Sequence, residues 1–308
     1  MPRNRSFGIA RVAGPRIDSQ RHAWPLAAMA LAGVVVYLPF FKNLVSVSIS
    51  HPYAGHVTLV PVFAAVMLWL ERHRFQGLSA HPHAGGAGLV ALALALVAIG
   101  YRIASVPLQA VSFVAAAAGI ALWFYGARGL RAAGFVLAFL LLMVPPPREA
   151  IAALAPGIQK VVAAFSAQVL ESLRIPVVHQ GVFLQLPALT LEVAEECAGL
   201  RFSLILLVFV SAFARAVVPT RTGQFIAMSL AIPVAMLANA ARVVATSVGV
   251  YAIGPAVATG PLHYYIGKGF WAVALFAMIG VAGLLRAQTT GVVAGRRPGR
   301  GPCVAGLP

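Results

Sequence analysis

Long apolar runs, separated by short polar or basic connections, dominate the pattern of this chain. Mostly apolar stretches cover about 24–41, 54–70, 85–101, 103–127, 132–147, 198–218, 222–250 and 265–285. A helix that crosses the bilayer's hydrocarbon layer needs about 20 such residues, so each run predicts one membrane span. A further run, 150–170, is of a different kind. Pro156-Gly157 lies near its start, Lys160 lies inside it, and Glu171 and Arg174 stand at its end. After it, residues 177–186 place β-branched and aromatic side chains around Gly181, and Pro187 separates them from a second apolar stretch, 189–193. This predicts a short extended hairpin. The chain has no evident internal repeat.

Charge placement decides which runs cross, because cytoplasmic connections are enriched in Lys and Arg. With the N-terminus inside and 150–170 not crossing, the inner segments hold Arg3, Arg5, Arg11, Arg16, Arg21, Arg72, Arg74, Arg128, Arg131, Arg215, Arg221, Arg286, Arg296, Arg297 and Arg300. The outer connections hold only Lys42, Arg102, Arg148, Lys160 and Arg174, and Arg201, Arg242 and Lys268 lie within or at the ends of spans. If 150–170 crossed, the C-terminal arginines would be external. The charge pattern therefore predicts about eight spans with both termini cytoplasmic. Residues 150–170 become an amphipathic or re-entrant helix beside an extracytoplasmic hairpin. The fold class expected is an all-α polytopic membrane bundle, with a basic tail at 1–23, a membrane domain at 24–285 and a disordered tail at 286–308.

Composition agrees. Hydrophobic residues make up 60% of the 308 and charged residues 10%, against about a quarter charged in soluble domains. The formal charge of +16 comes from short clusters between apolar runs, which suits anionic lipid and excludes tracking of a nucleic-acid backbone. The N-terminal basic region before the first run resembles a signal peptide, but the length of the run and the spans behind it favour a retained signal-anchor helix. The two cysteines, Cys197 and Cys303, make neither a disulfide framework nor a metal site.

Polar residues in or beside spans are costly and tend to be functional. Cys197, in Glu195-Glu196-Cys197-Ala198-Gly199-Leu200-Arg201, stands where the hairpin enters the sixth span. Arg242, in Asn239-Ala240-Ala241-Arg242, lies about 20 residues into a helix starting near Thr222, about 30 Å of rise, and so reaches the same outer level. His263 precedes the last span in an outer loop. Singly, each has an ordinary structural reading: a packed thiol, an arginine paired with Glu195 or Glu196, a solvated histidine. Together at one depth they form a reactive set. Positive charge favours the thiolate of Cys197, His263 can shuttle protons, and Arg242 can stabilise an oxyanion where water is scarce. Asn239, one turn before Arg242, can donate to the same oxyanion, and Arg201, one turn after Cys197, adds positive charge. His51, Tyr53 and His56 precede the second span and could line a substrate groove, or form an interfacial belt. His73, His81 and His83 are poor metal candidates, with only Glu71 nearby. Residues 143–147, Met-Val-Pro-Pro-Pro, read as a helix terminator.

These motifs resemble the exosortase/archaeosortase family of polytopic membrane cysteine enzymes. The likeness rests on residues 195–201, on Asn239 to Arg242, on His263, on Tyr53, Gly55 and His56, and on the Phe-Leu-Leu-Leu-Met-Val-Pro run from Phe139. It extends over about 25–285. It implies Cys197, Arg242 and His263 as the catalytic set, with no cofactor and no metal. It also implies a substrate: an exported protein whose C-terminal tail carries a Pro-containing motif, a hydrophobic helix and a basic cluster. Cleavage through a thioester would transfer that protein to an unknown surface acceptor, in a setting of exopolysaccharide production at the inner membrane. Ala198 departs from the pattern, since Ser is common there, and a fused extracytoplasmic domain found in some members is absent. The alternatives are a transporter or polysaccharide-export component, which would place polar residues at the midplane and show repeat symmetry, and a glycosyl- or acyltransferase, which would need more acids than the seven present.

Overall fold

The computed structural model describes residues 19–51, 53–76, 78, 83–193 and 199–295. Along them run α1 (Ser19–Ser50), α2 (Leu59–Leu70), α3 (Ala84–Arg102), α4 (Val106–Leu140), α5 (Arg148–Ser172), β1 (Val178–Gln180), β2 (Phe183–Gln185), β3 (Thr190–Glu192), α6 (Leu200–Val217), α7 (Arg221–Ala252), α8 (Ala256–Thr259) and α9 (Pro261–Gly295). Among the described residues, seven helices are long and apolar enough to cross a membrane. The architecture is an all-α membrane bundle with one small antiparallel sheet. By contacts the chain falls into two units, residues 1–42 and 43–308. In the first, Phe40 packs edge-on against Tyr37 with ring centroids 6.2 Å apart.

Within the second unit, α4 accounts for two of the expected spans. Its 35 residues would make a straight rod of about 52 Å, well beyond the ~30 Å hydrocarbon layer. At Gly126, however, φ is 60° and ψ is −157°, and the chain folds back. A methyl group on Gly129 would lie 2.9 Å from the carbonyl oxygen of Ala121, whereas positions eight apart on a straight helix are about 12 Å apart. Glycine alone adopts this backbone without steric cost. The expected spans 103–127 and 132–147 are the two arms of this bent helix. Small residues seat α3 on the first arm: a methyl group on Gly86 would lie 2.8 Å from the carbonyl oxygen of Gly119.

Two helices start elsewhere than the apolar runs suggested. The run 54–70 becomes helical only at Leu59, and the twelve-residue α2 falls short of a full span. Pro61 has no N–H, so it is accommodated in the first turn, where none is needed. Residues 53–58 instead form turns, with Val57 N donating to Ala54 O and Leu59 N to His56 O. In α9 the helix begins at Pro261, a favoured first position for proline. His263 therefore sits in the first turn of the last helix rather than in a loop before it. At its far end α9 continues to Gly295, so helix covers 286–295 of the expected disordered tail.

One end of the bundle gathers the basic connections. Arg215 Nη2, late in α6, meets Glu71 Oε1 just after α2 at 2.6 Å, and Arg74 Nε stands 3.5 Å from Glu71 Oε2. Phe75 stacks near Tyr125, beside the Gly126 bend, at 5.9 Å. A methyl group on Gly223, early in α7, would come within 3.9 Å of Leu285 in α9. These contacts collect the segments around Arg72, Arg128, Arg221 and Arg286, which the charge count assigned to one side.

At the other end Gln109 donates to the carbonyl of Gly100 at 3.0 Å and accepts from Asn43 at 3.2 Å. Tyr53 packs there with Ile151, Ala155 and Leu200. The expected hairpin is present: His179 faces Leu184 across β1 and β2, with Gly181 at φ 64° in the turn. The apolar stretch 189–193 adds β3. On this sheet and on the last third of α7 lies α5. Ala163, Ala167 and Leu170 pack with Leu184, Leu186 and Val193, and with Ala240, Val243 and Val250. Gln159 ties α5 to the carbonyl of Val193 at 3.1 Å. By length and composition α5 qualifies as a span, and its partners in this core come from the last third of α7.

Candidate active site

Three helix termini build the site: the start of α6, the last third of α7 and the start of α9. Arg221 begins α7 because Thr220 caps it, accepting from Gly223 N at 3.2 Å. Twenty-one residues later, about 31 Å up the helix, Arg242 is buried to 8% exposure. Its guanidinium lies 5.7 Å from the Phe202 ring centroid. Gly267, one turn after His263, stands against it; a methyl group there would be in ordinary contact, 3.6 Å from both Cδ and Nη1 of Arg242. Arg242 and His263 line one cavity of about 170 Å³ together with Glu192, Val193 and Thr246. On the opposite side of Arg242 a second, apolar cleft is lined by Phe202, Leu206, Ala238, Asn239 and Trp271.

Asn239 sits one turn before Arg242 and is 4% exposed. Neither its oxygen nor its nitrogen has a hydrogen-bond partner among the described residues, and the same holds for His263 Nδ1 and Thr246 Oγ1. Leaving a buried polar atom unmatched costs about 1–3 kcal/mol. Four such atoms around one arginine mark a place built for chemistry or for a ligand.

Cys197 and Glu196 lie outside the described residues, as do Glu195 and Ala198. The described residues on either side of them both belong to the site. Val193 lines the Arg242–His263 cavity. Gly199, at φ 84°, abuts Asn239 so closely that a methyl group on it would lie 3.1 Å from the Asn239 Cβ.

The other expected residues form a second group. Arg201 is exposed and points at Gly55, where a methyl group would lie 3.9 Å from its Nη2. Tyr53 and His56 are buried beside the start of α6, but do not line the Arg242–His263 cavity. Burial holds the His56 pKa below the ordinary histidine value, against hydrogen bonds that the imidazole donates to the backbone of Leu142 and Tyr53, which would raise it. His51 is shifted the same way by partial burial and by Arg148. His83 caps α3, its Nδ1 accepting from Gly85 N at 3.1 Å. Among the described residues no cluster could hold a metal ion.

Sequence reasoning missed Thr246, Glu192, Gly199 and Gly267 as parts of the site. Helical spacing carried a signal for two of them, since Thr246 follows Arg242 by four residues and Gly267 follows His263 by four.

The model of the transmembrane exosortase family matches residues 46–280, which include every site residue named above. No curated protein and no solved structure matches the chain. With most of its length covered by that match, the chain belongs to the transmembrane exosortase family.

Proposed function

We propose that this exosortase is a membrane cysteine transpeptidase or protease that removes the C-terminal sorting tail of exported proteins. The tail helix packs laterally among the spans, and the scissile peptide reaches the membrane surface beside Arg242. The Cys197 thiolate attacks the carbonyl carbon. Arg242 and Asn239 stabilise the oxyanion, and His263 protonates the departing amine. The resulting thioester is released to a surface acceptor or to water.

The observation that carries this reading is the meeting of Arg242 and His263 in one cavity against Val193, with Asn239 pressed on Gly199. Only two peptide units separate Gly199 from Cys197. The collection of Arg72, Arg74, Arg215 and Arg221 at the opposite end supports an orientation in which the site faces outside the cytoplasmic membrane. Family membership leaves the transporter reading without support.

The test is co-expression of a tail-bearing substrate with Cys197→Ala, Arg242→Ala or His263→Ala. Each variant is expected to accumulate uncleaved substrate. Normal tail removal by Cys197→Ala would sink the proposal.

A further inference from the structure

On the reading that Cys197 forms a thioester, we infer that the 170 Å³ cavity between β3, α7 and α8 is the acceptor pocket, and that it takes a small uncharged nucleophile bearing O–H or N–H groups. The two spaces that meet at Arg242 differ in character. The cleft of Phe202, Leu206, Ala238 and Trp271 is apolar and far narrower, with about 20 Å³ of space. The cavity on the other side is lined by Glu192, Arg242, Thr246 and His263, closed by Val193 and Ala258. Its roughly 170 Å³ of space admits several waters or a small polar group.

Its polar atoms are in place and unmatched. Thr246 is 5% exposed, and neither its Oγ1 nor His263 Nδ1 has a hydrogen-bond partner among the described residues. A ligand that both donates and accepts hydrogen bonds would satisfy them. Charge narrows the class further. Arg242 repels a cation and attracts an anion, and Glu192 does the reverse, so a group without net charge is repelled by neither.

In the transfer step the acceptor oxygen or nitrogen attacks the thioester carbon, and the carbon–sulfur bond breaks. His263 takes the acceptor's proton and returns it to the departing thiolate, which restores the Cys197 thiol with no change of oxidation state. Thr246 acts here as a positioning residue: its hydroxyl holds the acceptor while the reacting atoms lie elsewhere.

The experiment uses the full chain in lipid vesicles with a tail-bearing peptide and acetohydrazide, a nucleophile that is uncharged near neutral pH. The readout is the ratio of hydrazide product to hydrolysis product, which does not depend on how much protein is active. Thr246→Val should lower the ratio about fivefold, the size expected for one lost neutral hydrogen bond. Thr246→Ser should restore it, and Ala258→Leu, which fills the pocket, should lower it at least as far. A ratio unchanged in both Thr246→Val and Ala258→Leu overturns the pocket assignment, as does a fall in Thr246→Val that Thr246→Ser fails to restore. Tail release by Cys197→Ala would instead remove the thioester itself, a failure read without the ratio.

Discussion

Gly199 and Asn239 are packed so that a methyl group on the glycine would lie 3.1 Å from the asparagine Cβ, and the glycine holds φ at +84°. Two constraints therefore act on the residue that opens α6, one from its own backbone and one from α7. Gly199→Ala must satisfy both. The left-handed conformation alone costs a non-glycine residue about 1–2 kcal/mol. The substitution should lower the melting temperature in detergent and reduce tail processing more than the loss of folded protein explains. Melting curves and single-turnover cleavage on the same preparation check this.

Asn239 offers a separation of stability from function. Its buried amide has no hydrogen-bond partner among the described residues. Replacing an unmatched buried polar group with an apolar one of similar shape removes a cost of about 1–3 kcal/mol. Asn239→Leu is expected to melt higher than wild type while cleaving at least about 100-fold more slowly, the scale of losing one oxyanion donor. A variant that loses stability and activity together would assign Asn239 to packing.

The Glu71–Arg215 pair is a structural clamp at the basic end. Both side chains are only 11% exposed, and the Arg215 guanidinium also lies 5.0 Å from the Phe135 ring centroid. Breaking a buried pair by removing one partner costs about 3–5 kcal/mol, whereas replacing both with apolar residues can be neutral. Glu71→Ala and Arg215→Ala should each destabilise strongly, and Glu71→Leu with Arg215→Met should recover much of the loss. A thermal-shift double-mutant cycle measures the coupling.

Acid should destabilise the protein through His56. Burial depresses its folded-state pKa, so below the ordinary value of about 6.5 the unfolded chain binds more protons than the folded one. Stability contributed by the neutral imidazole is then complete above that value and lost as pH falls. His51 is shifted in the same direction and adds to the effect. Melting temperature should drop between pH 7.5 and pH 5, with a shallower fall in His56→Phe. An identical pH dependence in His56→Phe would remove this histidine from the account.

Most of the apolar helices and the hairpin were legible in the sequence because each depends on local pattern: apolar length and a glycine between extended runs, with the offset of Arg242 from the start of α7 following from 1.5 Å of rise per residue. The charge count also grouped the basic connections that Arg215, Phe75 and Gly223 bring together at one end. What was not legible depends on tertiary approach. Nothing local distinguishes Gly126, where the chain reverses, from other helical glycines. Glu71 gave no hint of its partner Arg215, which is 2.6 Å away but far along the chain. Proline chemistry was present at Pro61 and Pro261, yet the apolar runs passed over it, which moved the start of α2 and brought His263 into a helix. Thr246 was missed because a threonine inside an apolar span satisfies itself easily. Only the folded protein shows its hydroxyl without a partner among the described residues, in the cavity of Arg242 and His263.

The most direct test of the cysteine mechanism is the intact mass of the protein during turnover of a tail-bearing peptide. The account predicts a covalent acyl adduct on Cys197 that hydroxylamine discharges, that accumulates when transfer is slowed, and that is absent in Cys197→Ala together with all tail release. Tail release with no adduct on Cys197, continuing in Cys197→Ala, would contradict it.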